Sequence, residues 1–348
     1  MAEEYGKLTS IEERHHIMDV MVNIPGIGSI SRTSGFIPMA QSSDGVNRVG
    51  CNGVISITST GDRKVEFIAY ENHSLAYVKS ALGYPAYYPV LPLERKHPIK
   101  AVLMDMDGTT VRSEEFWIWI IGLATASLLG QPHFEFKDAD IPYLSGHSVS
   151  EHLQYCINKY CPEKSLEEAR RYYFMHSRRE MDAILKGHGK AGAFTPAPGI
   201  KDFLLELKDM KIKIGLVTSG LYEKAYPEIV SAFDTLGLGN PRDFYDCIIT
   251  AGFALGKGEV GTLGELSPKP HPWLYEETGR VGLGIPFEDR GSVVGIEDSG
   301  AGICSIRLAG YSPIGIEGGN IIQSGTRELC SHYCDSFEKI MAEIKNQI

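Results

Sequence analysis

Short apolar runs alternate with segments of helical periodicity over the last two thirds of the chain. The apolar runs predict strands at residues 101–104, 212–217, 247–250, 292–296 and 313–316. Helical spacing of apolar residues predicts helices at residues 200–210, 221–233 with a break near Pro227, 301–309 and 335–346. Short, uniformly apolar strands are typical of a sheet buried on both faces, and helices between them form right-handed crossovers. The pattern therefore predicts an α/β fold, with a Rossmann-like parallel sheet covered by helices on both faces.

A run of helical patterns interrupts this alternation between the first and second predicted strands. Helices are predicted at residues 116–129, 149–160 and 165–186, and the last begins with Ser165 and Glu168 in the spacing of a capping box. The first of these helices is apolar but too short to cross a bilayer, so we interpret it as a buried helix. The segment is expected to form a helical insertion in the sheet domain.

The pattern of residues 1–98 is weaker. A capping box predicts a helix at residues 10–21, the Gly- and Ser-rich stretch 25–53 is expected to be too polar to pack tightly, and another helix is predicted at 72–82. Period-two runs at 54–58 and 64–70 flank Thr60-Gly61-Asp62, which predicts a β-hairpin. We expect a small accessory α+β region that a proline-rich segment connects to the rest of the chain.

Composition and charge limit the classes of function. The chain has 348 residues, 43% of them hydrophobic, and a formal net charge of -10. This length allows two or three domains, and the negative charge argues against a surface for nucleic acid or anionic membranes. Seven cysteines without a C-x-x-C pair, and no signal sequence, predict reduced thiols and a cytoplasmic location.

The first predicted strand of the sheet ends in two carboxylates. Asp105 and Asp107 follow the apolar run 101–104, and Gly108-Thr109-Thr110 then lets the chain turn away. Taken alone, these residues also suit an ordinary capped turn. A carboxylate pair at the carboxyl end of a buried strand, however, requires a cation or a chemical role, because ligands of open α/β sheets bind at that edge.

Three further polar groups follow apolar runs downstream. Thr218-Ser219-Gly220 ends one predicted strand, Lys269 lies among prolines in Ser267-Pro-Lys-Pro-His-Pro, and Glu297-Asp298 ends another predicted strand before Ser-Gly-Ala-Gly302. Each group has an ordinary structural explanation, such as a strand end, a surface lysine or a helix cap. Together with Asp105 and Asp107, and in this order, they resemble the four motifs of the haloacid dehalogenase superfamily of phosphotransferases.

The resemblance covers about residues 99–348 and implies a domain organisation. The core would comprise residues 99–112 and 199–348, and residues 113–198 would form the family's mobile helical cap of the first type, which closes over the crevice and selects the substrate. Residues 1–98 would form the N-terminal accessory region and lie outside the resemblance.

The resemblance also implies roles for the motif residues. Asp105 would attack phosphorus and form an aspartyl phosphate, and Asp107 would protonate the leaving oxygen and later activate water. Thr218, with the backbone at Ser219 and Gly220, would bind the phosphoryl group, and Lys269 would neutralise it.

A metal site is implied at the two acidic motifs. Asp298, the carboxylate of Asp105 and the backbone carbonyl of Asp107 would hold Mg²⁺, with Glu297 as a further acidic group beside them. Hard oxygen ligands that leave positions open for water and phosphate favour this ion.

The expected function is hydrolysis of a small phosphomonoester, with a sugar phosphate as the leading class. Asp107 argues for phosphate esters, because the dehalogenases and the carbon–phosphorus hydrolases of the superfamily lack this second carboxylate. The sequence at 296–302 is similar to the β-phosphoglucomutase group, so a phosphomutase is the alternative, and a non-catalytic binding protein on this scaffold is a third. The stretch 144–153 offers His147, a candidate substrate contact, and no arginine or lysine to hold the second phosphate of a mutase.

Overall fold

The described part of the N-terminal region contains strands and connecting loops, without a helix. The computed structural model describes residues 21–31, 34–79, 85–144, 149–252 and 266–346. A first hairpin pairs β1 (Met21–Ile24) with β2 (Gly28–Ser31). A five-stranded antiparallel sheet follows in sequence order and comprises β3 (Ile37–Met39), β4 (Ser56–Ser59), β5 (Val65–Ala69), β6 (Ser74–Val78) and β7 (Ala86–Pro89). We call the described part of residues 21–98 the N-terminal module.

The module confirms two predictions and corrects two. The predicted hairpin is present as β4 and β5. Most described residues of the stretch 25–53 are exposed or half-buried, as expected, although Ile30 and Phe36 are buried. The prediction of a helix at 72–82 is wrong in the described residues, because β6 pairs with β5 on one side and with β7 on the other, and tertiary pairing outweighs local propensity. In its described part the region is thus all-β rather than α+β. The helix predicted at 10–21 lies outside the described residues, except for Met21, which begins β1.

The rest of the chain is built on a six-stranded parallel sheet. Its strands, in chain order, are β8 (Ala101–Asp105), β11 (Lys213–Val217), β12 (Cys247–Ile249), β13 (Val293–Glu297), β14 (Ser312–Ile316) and β15 (His332–Cys334), and a separate two-stranded ribbon contains β9 (Val111–Arg112) and β10 (Thr195–Pro196). The spatial order is β12-β11-β8-β13-β14-β15, with every neighbouring pair parallel. The predicted α/β fold is confirmed. Because β8 lies where the strand order reverses, a crevice opens at its carboxyl end.

The helices match most of the predicted positions. They are α1 (Glu114–Leu129), α2 (Val149–Tyr160), α3 (Leu166–Leu185), α4 (Ile200–Asp209), α5 (Tyr222–Leu236), α6 (Pro241–Phe244), α7 (Trp273–Glu276), α8 (Gly300–Leu308) and α9 (Phe337–Lys345), with short 3₁₀ turns at Asp138–Tyr143, Phe287–Ser292 and Thr326–Leu329 and a π-turn at Glu277–Gly282. The predicted break near Pro227 is absent, because α5 continues through this residue. Its buried apolar face, which includes Ile229 and Phe233, offsets the hydrogen bond that proline removes.

Two short strands connect the helical segment to the sheet domain. The chain leaves the sheet domain through β9 and returns through β10, and these two strands pair antiparallel with each other. Helices α1, α2 and α3 lie between them and pack on one another through residues such as Phe116, Leu153 and Tyr173. This ribbon supports the division of the chain at 113–198, which remains a prediction.

The N-terminal module packs on the helix that follows the second acidic motif. Ile24 and Phe67 of the module form one buried cluster with Ile303 and Leu308 of α8. The Tyr88 hydroxyl is also hydrogen bonded to Nδ1 of His271 at 2.8 Å, in the loop that carries Lys269. The module therefore contacts two segments that carry motif residues.

All seven cysteines are free thiols. Within the described residues, every helix is too short or too polar to serve as a membrane span.

We expect Phe67→Ala to lower the free energy of unfolding by about 3–5 kcal/mol, because the ring is fully buried between the module and α8. Urea unfolding followed by circular dichroism measures this change. Ile55→Ala is the control, because Ile55 is 59% exposed and its truncation should cost no more than about 0.5 kcal/mol. Equal losses in the two variants would contradict the described packing.

Candidate active site

The crevice at the carboxyl end of β8 begins with Asp105. This residue is 5% exposed, and its backbone carbonyl accepts a hydrogen bond of 2.5 Å from the Thr110 hydroxyl. The intervening turn requires Gly108, which has a φ of 87° and where a Cβ would lie 2.3 Å from Oδ2 of Asp298. The glycine thus lets the two acidic motifs approach each other.

Lys269 lies between two of the motif carboxylates. Its ammonium group donates a hydrogen bond to Oδ1 of Asp105 and another, of 2.6 Å, to Oε1 of Glu297. The side chains of Lys269 and Asp105 are each only 7% exposed. Burial lowers the pKa of Lys269, but the charges of Asp105 and Glu297 outweigh it and raise the pKa above its ordinary value. The lysine is therefore a fixed positive charge in the crevice.

Glu297 is fully buried, and both of its oxygens already have partners. Oε1 also accepts from the Tyr275 hydroxyl at 3.0 Å, and Oε2 accepts from the Ser299 amide at 3.1 Å and hydroxyl at 2.9 Å. Helix α8 begins so close to this carboxylate that a Cβ at Gly302 would lie 1.8 Å from Oε1. The glycine-rich start of α8 is thus explained by the space that Glu297 occupies.

A group of three carboxylates could hold a metal ion. One ligand atom from each of Asp105, Glu297 and Asp298 lies within 4.8 Å of the others. Burial and then the charge of Glu297 raise the pKa of Asp298 to about 7, and the same two effects raise the pKa of Asp105 well above its ordinary value. Lys269 alone does not offset these charges, so the donor set fits a bound divalent cation, and its hard oxygen atoms suit Mg²⁺.

Asp107 has a different environment from Asp105. Its carboxylate accepts a hydrogen bond from Ser113 at 3.0 Å and faces the Thr218 hydroxyl at 3.4 Å. Burial raises its pKa, but the Lys224 ammonium and hydrogen bonds from Glu228 and Ser113 outweigh this effect and hold the pKa below its ordinary value.

Glu228 on α5 is the neighbour that distinguishes Asp107 most clearly. It is fully buried, and Nζ of Lys224 lies 3.5 Å from its Oε1. Burial, and next the charge of Asp107, raise the pKa of Glu228 well above its ordinary value. The neutral form of Glu228 is therefore favoured beside the Asp107 carboxylate.

The loop after β11 borders the same crevice. Thr218 is buried, and its hydroxyl accepts a hydrogen bond of 3.0 Å from the Gly220 amide. The Ser219 hydroxyl accepts one of 3.2 Å from the backbone amide of Lys269. This loop therefore connects Asp107 to the Lys269 segment.

The structure brings most of the sequence-predicted residues together at one edge of the sheet. Those that converge are Asp105, Asp107, Thr218, Ser219, Gly220, Lys269, Glu297 and Asp298. His147 lies outside the described residues. Sequence reasoning missed Lys224, Glu228 and Tyr275. The i, i+4 spacing of Lys224 and Glu228 on a predicted helix was a weak signal, because it is also typical of an exposed ion pair.

A second cavity adjoins the crevice beneath the helical segment. It has a volume of about 450 Å³, and its walls include Trp117 of α1, Tyr173 and Arg170 of α3, and Lys224 of α5. Nζ of Lys224 lies 4.7 Å from the centre of the Trp117 ring. Lys224 therefore both lines this cavity and acts electrostatically on Asp107.

Comparisons with solved structures show where this fold occurs. A protein from Thermotoga maritima, described as a "putative beta-phosphoglucomutase", has a TM-score of 0.51 at 19% identity, covering 72% of this chain and 100% of that chain. CbbY from Rhodobacter sphaeroides, in complex with phosphate, has a TM-score of 0.47 at 20% identity, covering 71% and 99%. A HAD family hydrolase from Deinococcus radiodurans, with bound phosphate and sodium, has a TM-score of 0.47 at 19% identity, covering 72% and 97%. The Thermotoga protein shares the fold of this chain.

Comparisons of sequence give a family. No curated protein sequence matches the chain. The family model described as "Hydrolase: haloacid dehalogenase-like hydrolase" matches residues 99–310, which include every motif residue of the crevice. Since this match spans more than half of the 348 residues, the chain belongs to the haloacid dehalogenase-like hydrolases and is an enzyme.

Proposed function

We propose that the protein is a magnesium-dependent phosphatase that hydrolyses a small phosphomonoester through an aspartyl phosphate on Asp105. One observation carries this proposal: the buried Lys269 ammonium contacts Asp105, and a second carboxyl pair, Asp107 and the fully buried Glu228, lies close by. A nucleophile, a fixed positive charge and a proton source are thus adjacent, as phosphoryl transfer requires.

Asp105 is the proposed nucleophile, and its attack forms a bond to phosphorus while the bond to the leaving oxygen breaks. Lys269 orients the attacking carboxylate through their hydrogen bond and offsets the negative charge on the phosphoryl oxygens. The Gly220 amide orients the Thr218 hydroxyl, which would donate a hydrogen bond to the phosphoryl oxygens. Water then attacks the aspartyl phosphate, and Asp105 is regenerated.

Asp107 is the proposed general acid and base. Asp107 would give its carboxyl proton to the leaving oxygen in the first step, and the carboxylate so formed would accept a proton from water in the second. The raised pKa of Glu228 makes this neighbour a source from which Asp107 could take up that proton beforehand. Ser113 and Lys224 favour the charged form of Asp107, so that it serves as a base once the leaving group has departed.

The proposed Mg²⁺ ligands are the Asp105 carboxylate, the Asp298 carboxylate and the backbone carbonyl of Asp107. Glu297 is better suited to hold Lys269, because both of its oxygens already accept hydrogen bonds. When bound, the ion would stabilise the negative charge on the phosphoryl oxygens and reduce the repulsion among the neighbouring carboxylates.

The leaving group would occupy the cavity beneath the cap. Its aromatic walls suit the less polar face of a small organic group, and Arg170 and Lys224 suit oxygen atoms on its rim. A small phosphorylated metabolite is therefore the proposed partner, with sugar phosphates as the first class to test and His147 as a proposed contact.

A phosphomutase of the β-phosphoglucomutase type is the second candidate, and Arg170 favours it, because this arginine lines the cavity where a second phosphate would bind. Hydrolysis remains the preferred proposal, since the aromatic walls leave few groups to hold a second dianion. A non-catalytic binding protein would not require a second carboxylate, Asp107, two residues after the proposed nucleophile.

The first prediction is magnesium-dependent release of phosphate from an aryl phosphate, which Asp105→Asn lowers more than about a thousand-fold because an amide does not form the acyl phosphate. Asp202→Asn is the matched control, since Asp202 is exposed on α4 and should retain full activity. Near wild-type release by Asp105→Asn would refute the mechanism.

A second prediction separates the two roles of Asp107. With an alkyl phosphate, Asp107→Asn should lower kcat by about 10²–10⁴, because the leaving oxygen lacks its proton donor. With an aryl phosphate, whose leaving group needs no proton, the loss should fall mainly on the second step, so rapid-quench experiments should trap phosphoenzyme. If Asp107→Asn slowed formation and hydrolysis of the phosphoenzyme equally with both substrates, this assignment would be contradicted.

A third prediction concerns the metal. Asp298→Ala should raise the half-saturating magnesium concentration at least about tenfold, because one of few anionic ligands is lost. Magnesium titrations of activity and of intrinsic fluorescence measure this, and an unchanged midpoint in both would exclude Asp298 as a ligand.

The fourth prediction distinguishes phosphatase from mutase. With glucose 1-phosphate and a trace of glucose 1,6-bisphosphate, free phosphate should accumulate faster than glucose 6-phosphate. Efficient isomerisation with little free phosphate would favour the mutase.

A further inference from the structure

A separate cavity lies between the N-terminal module and the sheet domain. Its volume is about 390 Å³. The turn of the first hairpin, Gly26 to Gly28, and Pro92 form one side, and Arg307 of α8 and residues 328–331 form the other. Gly28, Pro92 and Glu328 are exposed at its rim, so the cavity is open to solvent.

Arg307 is a buried cation that forms no ion pair with the residues that the structure describes. The residue is 2% exposed, and Nη2 donates a hydrogen bond to the Gly26 carbonyl across the junction. Nη1 is buried and has no hydrogen-bond partner among the residues that the structure describes. Burial alone lowers the pKa of Arg307 to about 10, so the guanidinium keeps its charge at neutral pH.

A purely structural role explains only part of this arrangement. The carbonyl groups at the end of α8 favour a cation, and the contact with Gly26 ties the hairpin to the helix. Neither feature uses Nη1, and an apolar side chain of similar volume would fill the same space without the cost of a buried, unpaired charge. The charge therefore indicates a partner with negative charge.

We propose that this cavity binds a small oxyanion, a carboxylate or phosphate group, through the guanidinium of Arg307. A planar guanidinium donates parallel hydrogen bonds to such a group, and Nη1 has no such partner among the residues that the structure describes. Arg307 is the only cation that lines the cavity in the described residues, and the exposed Glu328 carboxylate lies at the rim. The ligand is therefore a group of low charge, and Glu328 repels polyanions.

The proposed site is independent of the phosphatase mechanism. Arg307 lies in the last turn of α8, whereas Asp298 precedes the first turn of this helix. An anion bound to Arg307 would contact both the module and the sheet domain, and it would stabilise their packing by mass action.

The test compares single variants of the full-length protein in chloride-based buffers of equal ionic strength. The probes are inorganic phosphate, sulfate and succinate, which separate phosphate-like from carboxylate ligands. Equilibrium dialysis counts the bound ions, and thermal unfolding reports the shift in Tm. We expect Arg307→Met to weaken binding of at least one probe at this site more than tenfold and to remove one bound ion per chain.

The matched control is Arg327→Met, which removes the same charge from an exposed arginine that stacks on Tyr333. It should leave binding unchanged. The active site is intact in all of these variants, so its own phosphate binding cancels in the comparison. If Arg307→Met does not fold, Glu328→Lys at the exposed rim should tighten binding severalfold, and Glu328→Gln should do so to a smaller extent.

Equal binding by the wild type, Arg307→Met and both Glu328 variants would overturn the proposal, as would a Tm that responds to none of the probes beyond chloride. Anion binding by the wild type that Arg307→Met abolishes would support this proposal even if the protein does not hydrolyse phosphomonoesters. The anion site and the phosphatase activity can therefore be refuted independently of each other.

Discussion

The active site depends on one buried interaction, the contact of the Lys269 ammonium with Asp105 and Glu297. Buried carboxylates repel one another and lose hydration, so they stay charged only beside a cation. Lys269 supplies one positive charge, and Tyr275 and Ser299 supply the remaining hydrogen bonds of Glu297. The group still carries an excess of negative charge, and this excess provides the attraction for a metal ion.

This arrangement requires close approach of several backbone segments. Gly108 and Gly302 remove side chains that would collide with Asp298 and Glu297. The loop of Lys269 is in turn held from outside, because the Tyr88 hydroxyl of the N-terminal module bonds His271 and the Ser305 hydroxyl of α8 donates to the His271 carbonyl at 2.6 Å. The module thus supports the segment that carries Lys269.

The two aspartates differ because their neighbours differ. Asp105 faces other carboxylates, which raise its pKa, whereas Asp107 faces Lys224 and Ser113, which lower its pKa against the effect of burial. Lys224 also lines the cavity beside α1 and α3, so one side chain both acts on Asp107 and borders that cavity.

The sequence by itself determined the parallel sheet and the edge at which the motif residues meet, because period and strand length are local properties and parallel strands place their carboxyl ends together. Tertiary structure decided the rest. Residues 74–78 form β6 because two neighbouring strands pair with them, and α5 continues through Pro227 because its apolar face is buried. The charge of Asp107 raises the pKa of Glu228, and Arg307 lies buried beside Gly26, because folding brings together residues that are far apart in the chain. Burial and charge proximity depend on those contacts, which no local pattern encodes.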